Sequence, residues 1–544
     1  MLWGSNTIKG LLLGMFACTA LASCSNNDLV EDNGVNQESN TAYMSVKIAM
    51  PDSNGGRAAT DGGFEYGNTG EQTISNAYCL FYNSDGSFAT SSALGAISVT
   101  PSTGKPAGNV EATATATVIL GPTNTFPTQV VTLLNIGDQK YTELKGLNLA
   151  QLIEKTASYT DGYATTNNFI MSNSTYAENS KAIYSTPVAR DNFYTTPDAS
   201  KTNAITIYVE RLAAKVKVEK AADMTNTAPT TTGGTLELVI DGWALNGTNK
   251  TSYYVKNLNE GWLTADPFAG WNNPTNFRCY WSQDPNYATG TYPANFEAGT
   301  AESGSNNSLI YTTWNSKIAV GANDYCLENT VDVDNAKAYA STTHALVMGH
   351  YTLNGKNVTG EAFYIYANNE IFLEDALVTR MANMPNIYKK VGDNTYDKLG
   401  ADDYKIVRAT DKDGHIIADQ VTIAVKAQTG TFYKKTGTEE VEAYTNMAAV
   451  NEAAQAAAGS ASVYYEGKCY FPVKIEHLAE SEVGSIGVVR NHIYNLTINS
   501  IKNLGVGVYN PDEVIVPGET PDKYYLSATL NILSWKVISQ GVDL

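Results

Sequence analysis

Apolar and polar residues alternate with a period of two along much of this chain. In residues 43–50 the side chains of Met44, Val46, Ile48 and Met50 fall on one face, and the residues between them fall on the other. That alternation predicts a half-buried β-strand. Similar runs, bounded by turn-forming residues, predict strands at 77–82, 110–120, 130–136, 169–171, 236–245, 345–351, 362–366, 416–425, 470–475 and 492–498.

Helical periodicity is rare in the chain. Residues 144–157 predict a helix from a partial apolar stripe, and residues 448–458 predict one from a run of Ala. Residues 205–218 contain two alternating runs that meet at Glu210 and Arg211, which indicates a boundary between two domains. We therefore expect an all-β chain with minor helices and two antiparallel β-sandwich domains, 58–208 and 209–509.

The first 23 residues predict an export signal. A weakly basic start with Lys9 leads into an apolar run and then into small residues, and the run is too short to span a membrane. The sequence Leu-Ala-Ser-Cys that ends at Cys24 resembles a lipobox, in which the Cys thiol becomes diacylglyceryl-modified. Residues 25–41 are polar and acidic, so they predict a flexible tether between lipid and fold.

A turn-forming segment, 51–63, follows the first predicted strand. It holds one basic residue, Arg57, directly ahead of Ala58. An exposed Arg in such a segment is an easy target for an Arg-specific protease. On local sequence alone, a solvated loop Arg is the simpler interpretation.

The end of the chain, 510–544, combines a linker with a terminal strand. Residues 510–524 contain three Pro among acidic residues, which indicates a semi-rigid spacer. The following residues alternate between apolar and polar, with apolar positions at Leu526, Ala528, Leu530, Ile532, Trp535 and Val537. We expect a strand placed after such a linker to be free to pair with something other than its own sheet.

Composition narrows the class of function. Hydrophobic residues make up 43% of the chain but charged ones only 17%, and 34 Tyr are present, a balance typical of extracellular β-structure. At 544 residues the chain exceeds the size at which one core usually keeps growing, which favours two domains plus tails. The formal net charge of −19, without a basic cluster, argues against nucleic acid as a partner.

Candidate chemistry is sparse. The sequence lacks a Walker-type loop, a dinucleotide fingerprint, G-x-S-x-G and H-E-x-x-H, so it predicts neither an enzyme nor a cofactor. Its five His are scattered and favour structural imidazoles over a metal site. Beyond Cys24, four cysteines are compatible with disulfides or with buried free thiols, and we assign no bond among Cys79, Cys279, Cys326 and Cys469.

Taken in order, these features resemble the FimA/Mfa-type fimbrilins (type V pilins) of Bacteroidales surface fimbriae, nearest to the shaft subunit of the minor fimbrium. The resemblance is carried by Cys24, the first strand, Arg57, the junction at 209–218 and the C-terminal segments. Its more specific pieces are Val-Arg-Asn-His-x-Tyr at 489–494 and Trp-x-Val at 535–537. The resemblance implies two transthyretin-like β-sandwiches, in agreement with the strand pattern.

The resemblance also implies a mode of action. A precursor lipidated at Cys24 would lie at the outer membrane, with its first strand completing the N-terminal sandwich. An Arg-specific protease would cut between Arg57 and Ala58, remove residues 24–57 and expose a groove. The terminal strand of an identical or related subunit would fill that groove head to tail, so that an extracellular fimbrium supporting adhesion grows.

Two alternatives stay open at this point. A fimbrial anchor would keep its lipid and a tip would lack a free donor strand, so Arg57 disfavours the first and residues 526–544 disfavour the second. A surface glycan-binding lipoprotein could use the Trp- and Tyr-rich span 262–281 as stacking platforms, although filling of core and loops is the simpler interpretation of those rings.

Overall fold

Strands dominate the molecule. The structure, a computed structural model, describes residues 42–51, 67–94, 97–101, 110–120, 126–161, 163–165, 168–226, 228, 230–258, 260, 282–286, 309–330, 342–410, 414–437, 440–477, 487–516, 526–533 and 537–540. Within these ranges most residues lie in strands and few in helices. The prediction of an all-β chain with minor helices is confirmed.

The N-terminal half is built on one large sheet. Its strands are β1 (Ala42–Pro51), β2 (Ala77–Tyr82), β3 (Phe88–Ala93), β4 (Thr100–Pro101), β5 (Val110–Leu120), β6 (Gln129–Leu134), β7 (Thr156–Ser158), β8 (Ala164–Thr165), β9 (Asn168–Phe169), β10 (Met171–Asn173), β11 (Tyr176–Glu178), β12 (Lys181–Ile183), β13 (Thr186–Pro187) and β14 (Ile205–Arg211). The sheet order is β3-β2-β6-β10-β14-β1-β5-β4, with β13 beside β6. Only β1 and β14 run parallel among its pairs.

Side chains from both ends of this sheet meet in a single core, so the sheet closes over itself. Met44, Val46 and Ile48 of β1 are fully buried, and they share that core with Phe81 of β2 and Met171 of β10. The inward face predicted from the alternation at 43–50 is therefore confirmed for Met44, Val46 and Ile48.

The C-terminal half contains two facing sheets and an added subdomain. Its strands are β15 (Ala213–Asn226), β16 (Leu236–Asn246), β17 (Thr248–Asn249), β18 (Thr251–Tyr253), β19 (Asn257–Leu258), β20 (Ser282–Gln283), β21 (Leu309–Ile310), β22 (Asn323–Leu327), β23 (Asn329–Thr330), β24 (His344–Leu353), β25 (Lys356–Asn357), β26 (Ala362–Tyr366), β27 (Glu370–Phe372), β28 (Tyr388–Gly392), β29 (Thr395–Lys398), β30 (Tyr404–Thr410), β31 (Ile416–Val425), β32 (Phe432–Lys435), β33 (Val441–Ala443), β34 (Ser462–Tyr465), β35 (Lys468–Lys474), β36 (Gly487–Val488), β37 (Ile493–Ile501), β38 (Val506–Gly507), β39 (Leu526–Leu533) and β40 (Val537–Gln540).

The two facing sheets enclose the main C-terminal core. One has the order β22-β15-β37-β39-β40, and the other has β16-β24-β35-β38 with β25 beside β24. Val216 and Leu496 from the first sheet pack in one cluster with Trp243, Val347 and Phe471 from the second. This arrangement is a sandwich, since each sheet buries one face against the other.

The structure gives the bounds of the helices α1 (Thr69–Gln72), α2 (Gly137–Leu144), α3 (Leu149–Ile153), α4 (Pro197–Ser200), α5 (Glu374–Ala382) and α6 (Met447–Ala458). The helix predicted at 448–458 is confirmed as α6. The helix predicted at 144–157 is confirmed only at 149–153, which form α3, and the rest of its predicted length is wrong. Gly146 has a positive φ of 88°, Asn148 caps the start of α3, and residues 156–158 form β7, so the segment is interrupted twice. The pattern did not predict α5.

The subdomain between β26 and β34 has a core of its own. Leu377 of α5 and Val450 of α6 pack with Ile423 of β31 and Val463 of β34. The chain passes from the N-terminal sheet to the C-terminal sheets close to the predicted boundary between 208 and 209. Strand β14 continues to Arg211 in the N-terminal sheet and β15 begins at Ala213 in the C-terminal sheet, so the chain changes sheets at Leu212.

Candidate functional site

Strand β1 lies inside the N-terminal sheet and is paired on both sides. Residues 46–49 pair in parallel with 205–208 of β14. On the other side, residues 42–51 pair with β5 in antiparallel register, with one irregularity between Met50 and Pro51. Removing β1 would therefore leave two unpaired strand edges, one on β14 and one on β5, facing the same slot.

The two faces of β1 differ in what covers them. On the inner face Ala42, Met44, Val46 and Ile48 belong to the N-terminal core. On the outer face Lys47 is exposed and Tyr43 is half-buried, but Ser45 is fully buried. The alternation by itself predicted an outward-facing Ser45 and no residue covering it. In the structure a segment far away in sequence covers Ser45.

The terminal strands lie in the C-terminal sheet of their own chain. Strand β39 pairs with β37 in antiparallel register, which sets Ala528, Leu530 and Ile532 opposite Ile498, Leu496 and Tyr494. Strand β40, which begins at Val537, pairs with β39 and forms the outer edge. In the single chain the terminal strand therefore finds backbone partners in its own sheet over residues 526–532, and its pairing with another chain stays a prediction.

Several predicted site residues lie outside the described residues. These are Cys24, Arg57, Ala58 and Trp535, and the aromatic span 262–281 also falls outside them. Leu526, Ala528, Leu530 and Ile532 all lie in β39. Val537 begins β40, so the described donor residues are distributed over two strands.

A buried polar cluster joins β14, a wall of the slot, to the C-terminal half. Arg211 at the end of β14 donates from Nε to the backbone oxygen of Glu71 at 2.7 Å, and its Nη1 lies 3.3 Å from Asn491 Oδ1. Lys215 Nζ lies 3.1 Å from Glu71 Oε1, and Tyr325 donates its hydroxyl to the same oxygen. Burial and this bond raise the pKa of Tyr325. Arg211 and Lys215 thus both bind Glu71 across the domain junction, Arg211 at its backbone oxygen and Lys215 at its carboxylate.

A second buried group lies around Arg490. Its side chain has no exposed surface, and its Nε lies 3.1 Å from Glu328 Oε2. Its Nη2 donates to Ser252 Oγ and to the backbone oxygen of Tyr253, each at 2.8 Å. Since a buried guanidinium is tolerated only when its donors are satisfied, this set holds the junction in one arrangement.

A third buried ion pair belongs to the same junction. Lys256 Nζ lies 3.0 Å from Glu210 Oε2, and both side chains have zero exposure. Burial raises the pKa of Glu210, and the neighbouring Lys256 and Arg490 oppose that effect. The Val-Arg-Asn-His-x-Tyr stretch singled out in the sequence is therefore a structural junction. Its ion-pair partner Glu328 carried no local signal, because it lies 162 residues away along the chain.

The described cysteine thiols and the imidazole of His344 are buried. Cys79, Cys326 and Cys469 are free thiols, and burial raises the pKa of Cys79 to about 12. Burial also lowers the pKa of His344 to about 3. In the part of the chain that the structure describes, we found no group of three or more His, Cys, Asp or Glu able to hold a metal ion. Nor does any helix in those residues have the length and hydropathy to cross a membrane.

The C-terminal segment can be compared with a known family. Residues 462–541 match the family model of the type IV major fimbrial subunit protein, fimbrillin, C-terminal. This segment is similar to fimbrillin. It runs from β34 to β40, so the fimbrillin-like part holds β37, both terminal strands and Arg490. No curated protein matches this sequence.

Solved structures of similar length were also found. A cell adhesion protein from Parabacteroides distasonis has 13% identity and a TM-score of 0.35, covering 90% of this chain and 98% of that one. One from Bacteroides eggerthii has 14% identity and a TM-score of 0.32, covering 92% and 98%. A fimbrial assembly protein from Parabacteroides distasonis has 10% identity and a TM-score of 0.30, covering 91% and 98%. At these TM-scores the likenesses carry no argument about the site.

Proposed function

We propose that this chain is a structural subunit of a cell-surface fimbria and that subunits join by exchanging β1 for a strand of a neighbour. The observation that carries the proposal is the position of β1, which is paired on both sides and buries Met44, Val46 and Ile48. Its link to the next described element, residues 52–66, contains one Lys or Arg, which is Arg57. A single cut by an Arg-specific protease would therefore leave β1 held by noncovalent contacts alone.

The free energy that β1 contributes explains why another strand would bind in its place. Three fully buried aliphatic side chains contribute roughly 4.5–9 kcal/mol together, at about 1.5–3 kcal/mol each. Loss of β1 would also leave backbone N–H and C=O groups unpaired on β14 and β5, which favours pairing with another chain. A replacement strand must restore both ladders and supply apolar side chains at alternate positions.

The terminal strand β39 has that pattern, with Leu526, Ala528, Leu530 and Ile532 at alternate positions. In this chain β39 pairs with β37. Donation to a neighbour therefore requires that β39 leave its own sheet, and we infer that residues 517–525, which include Pro517 and Pro521, would allow that movement. Head-to-tail donation does not close on itself, so it grows a filament.

The lipid and the protease belong to the same proposal. A precursor lipidated at Cys24 would be tethered at the outer membrane, and cleavage after Arg57 would remove lipid and β1 together. We infer a shaft position, since an anchor would keep its lipid and a tip would lack a donor. Metabolic labelling with a fatty-acid probe tests the tether, because a Cys24→Ala chain should take up no label.

Proteolysis of the purified soluble precursor tests the assembly. After treatment with an Arg-specific protease, the wild-type chain should begin at Ala58 by N-terminal sequencing and form polymers in size-exclusion chromatography and electron microscopy. An Arg57→Ala chain should stay monomeric. Among cleaved chains, Leu530→Asp should not polymerise, since it would bury an unpaired charge, whereas Thr529→Ser should.

Two results would contradict the proposal. One is polymers formed by Arg57→Ala chains that still carry residues 42–51. The other is a filament in which mass spectrometry finds β1 in stoichiometric amount. Thermal unfolding of each variant before treatment separates a failure to assemble from a failure to fold.

A further inference from the structure

The outer face of β1 is crossed by residues 196–203, which we name the strap. It consists of α4 and the 3₁₀ turn Lys201–Asn203 that follows it. Just ahead of the strap, Tyr43 and Tyr194 exchange two backbone hydrogen bonds of 2.8 Å each. At the strap itself, the hydroxyls of Ser45 and Ser200 lie 2.7 Å apart, and neither residue has exposed surface.

The direction of this hydroxyl contact follows from its neighbours. Ser200 Oγ also lies 2.7 Å from the backbone oxygen of Pro197, which can only accept. The single hydroxyl proton of Ser200 therefore goes to Pro197, and Ser45 donates to Ser200. The residue at position 45 must therefore have a side chain that fits a closed space and that donates a hydrogen bond to Ser200.

Position 45 is special on this face. Lys47 is exposed and Tyr43 is half-buried with a large ring, so the positions on either side of Ser45 accept bulk. Among the outward positions whose burial the structure describes, 43, 45 and 47, only position 45 is closed. The inner face alone would accept many alternating apolar strands.

We propose that the strap selects the strand that enters the slot, by requiring a small hydroxyl side chain at the place of Ser45. This inference rests on the proposed function, and it assigns the occupant as the terminal strand of a second copy of this chain. Matching the four inner positions whose burial the structure describes, Ala42, Met44, Val46 and Ile48, to the four apolar positions of β39 places Thr529 opposite the strap. Thr529 lies between the second and third of those positions, so it takes the place of Ser45 in either strand orientation.

The first experiment tests whether the strap closes position 45 in the full precursor. Ser45→Leu should lower the midpoint of thermal unfolding, because the added side chain has no room. Lys47→Leu is the matched control on the same face and should leave the midpoint unchanged. Equal midpoints for the two variants would overturn the strap as a closed cover.

The second experiment tests selection. The precursor is cut after Arg57, and fluorescent peptides of residues 525–534 are added in excess to the full cleaved chain. The Thr529→Leu peptide should bind about tenfold more weakly than wild type or worse, which corresponds to about 1.4 kcal/mol. The Asn531→Leu peptide should bind like wild type, because its position faces the site of Lys47 or of Tyr43. Thr529→Val keeps the shape but removes the donor, so it should lose affinity in wild-type chains and much less in Ser200→Ala chains.

The outcomes separate the two proposals. If the wild-type peptide binds and Thr529→Leu binds equally well, the strap does not select, while strand exchange stands. If position 45 is closed but no peptide of 525–534 binds, the terminal strand is not the occupant and the proposed function fails with it. Weak binding of Thr529→Leu together with normal binding of Asn531→Leu supports both.

Discussion

The role of β1 is tested most directly by Ile48→Ala. Ile48 has no exposed surface and is in register with Ile207 of β14 and Ala114 of β5, so paired strands on both sides limit how far the space can close. Truncation of a buried Ile to Ala costs about 2–5 kcal/mol. Both backbone ladders remain, so the loss falls on packing. After a cut at Arg57, we expect β1 to dissociate faster by about 30-fold or more, since each 1.4 kcal/mol is a factor of ten.

The matched control is Lys47→Ala, whose side chain is exposed and whose effect should stay within about 0.5 kcal/mol. A soluble precursor labelled at Cys24 is cut, and release of the label from the large fragment is followed by size-exclusion chromatography. If Ile48→Ala retains the label for as long as Lys47→Ala does, packing of the inner face does not hold β1, and the energetic basis for strand exchange is wrong.

Three further predictions concern the rest of the fold. Arg490→Met should lower the free energy of unfolding in urea by about 3–5 kcal/mol, because Glu328 loses its buried partner. The control Arg380→Met, which removes an exposed ion pair, should lower it by less than about 1 kcal/mol. Burial lowers the pKa of His344 to about 3, so the unfolded chain binds a proton near pH 6.5 that the folded chain rejects. The contribution of neutral His344 to the free energy of unfolding is therefore fully present above pH 6.5 and decreases toward pH 3, with a loss of about 2 kcal/mol at pH 5. His344→Gln should remove this pH dependence, as measured by unfolding in urea. In a Cys279→Ser chain without its first 25 residues, the three buried thiols should react with maleimide only after unfolding, and rapid labelling of the folded chain would refute their burial.

Local pattern was sufficient wherever a residue's role depends on its immediate neighbours. Alternation at 43–50 identified a strand and its inner face, and the same signal located β2, β26 and β31 at their observed bounds. The pattern failed at 144–157, where apolar spacing indicated one helix. A left-handed Gly146 and the cap at Asn148 break that segment, and backbone conformation overrode the stripe.

The sequence by itself determined that this is an all-β chain, that its first and last strands have matching alternation, and that a single basic residue follows the first strand. Only the tertiary structure decided which strands lie beside them. It placed β1 between β14 and β5, stored β39 against β37, and brought Ser200 over Ser45 across a sequence separation of 155 residues. The physical reason is that side-chain alternation depends on the local backbone, whereas strand partners, covers and buried charge pairs depend on segments far apart in the chain.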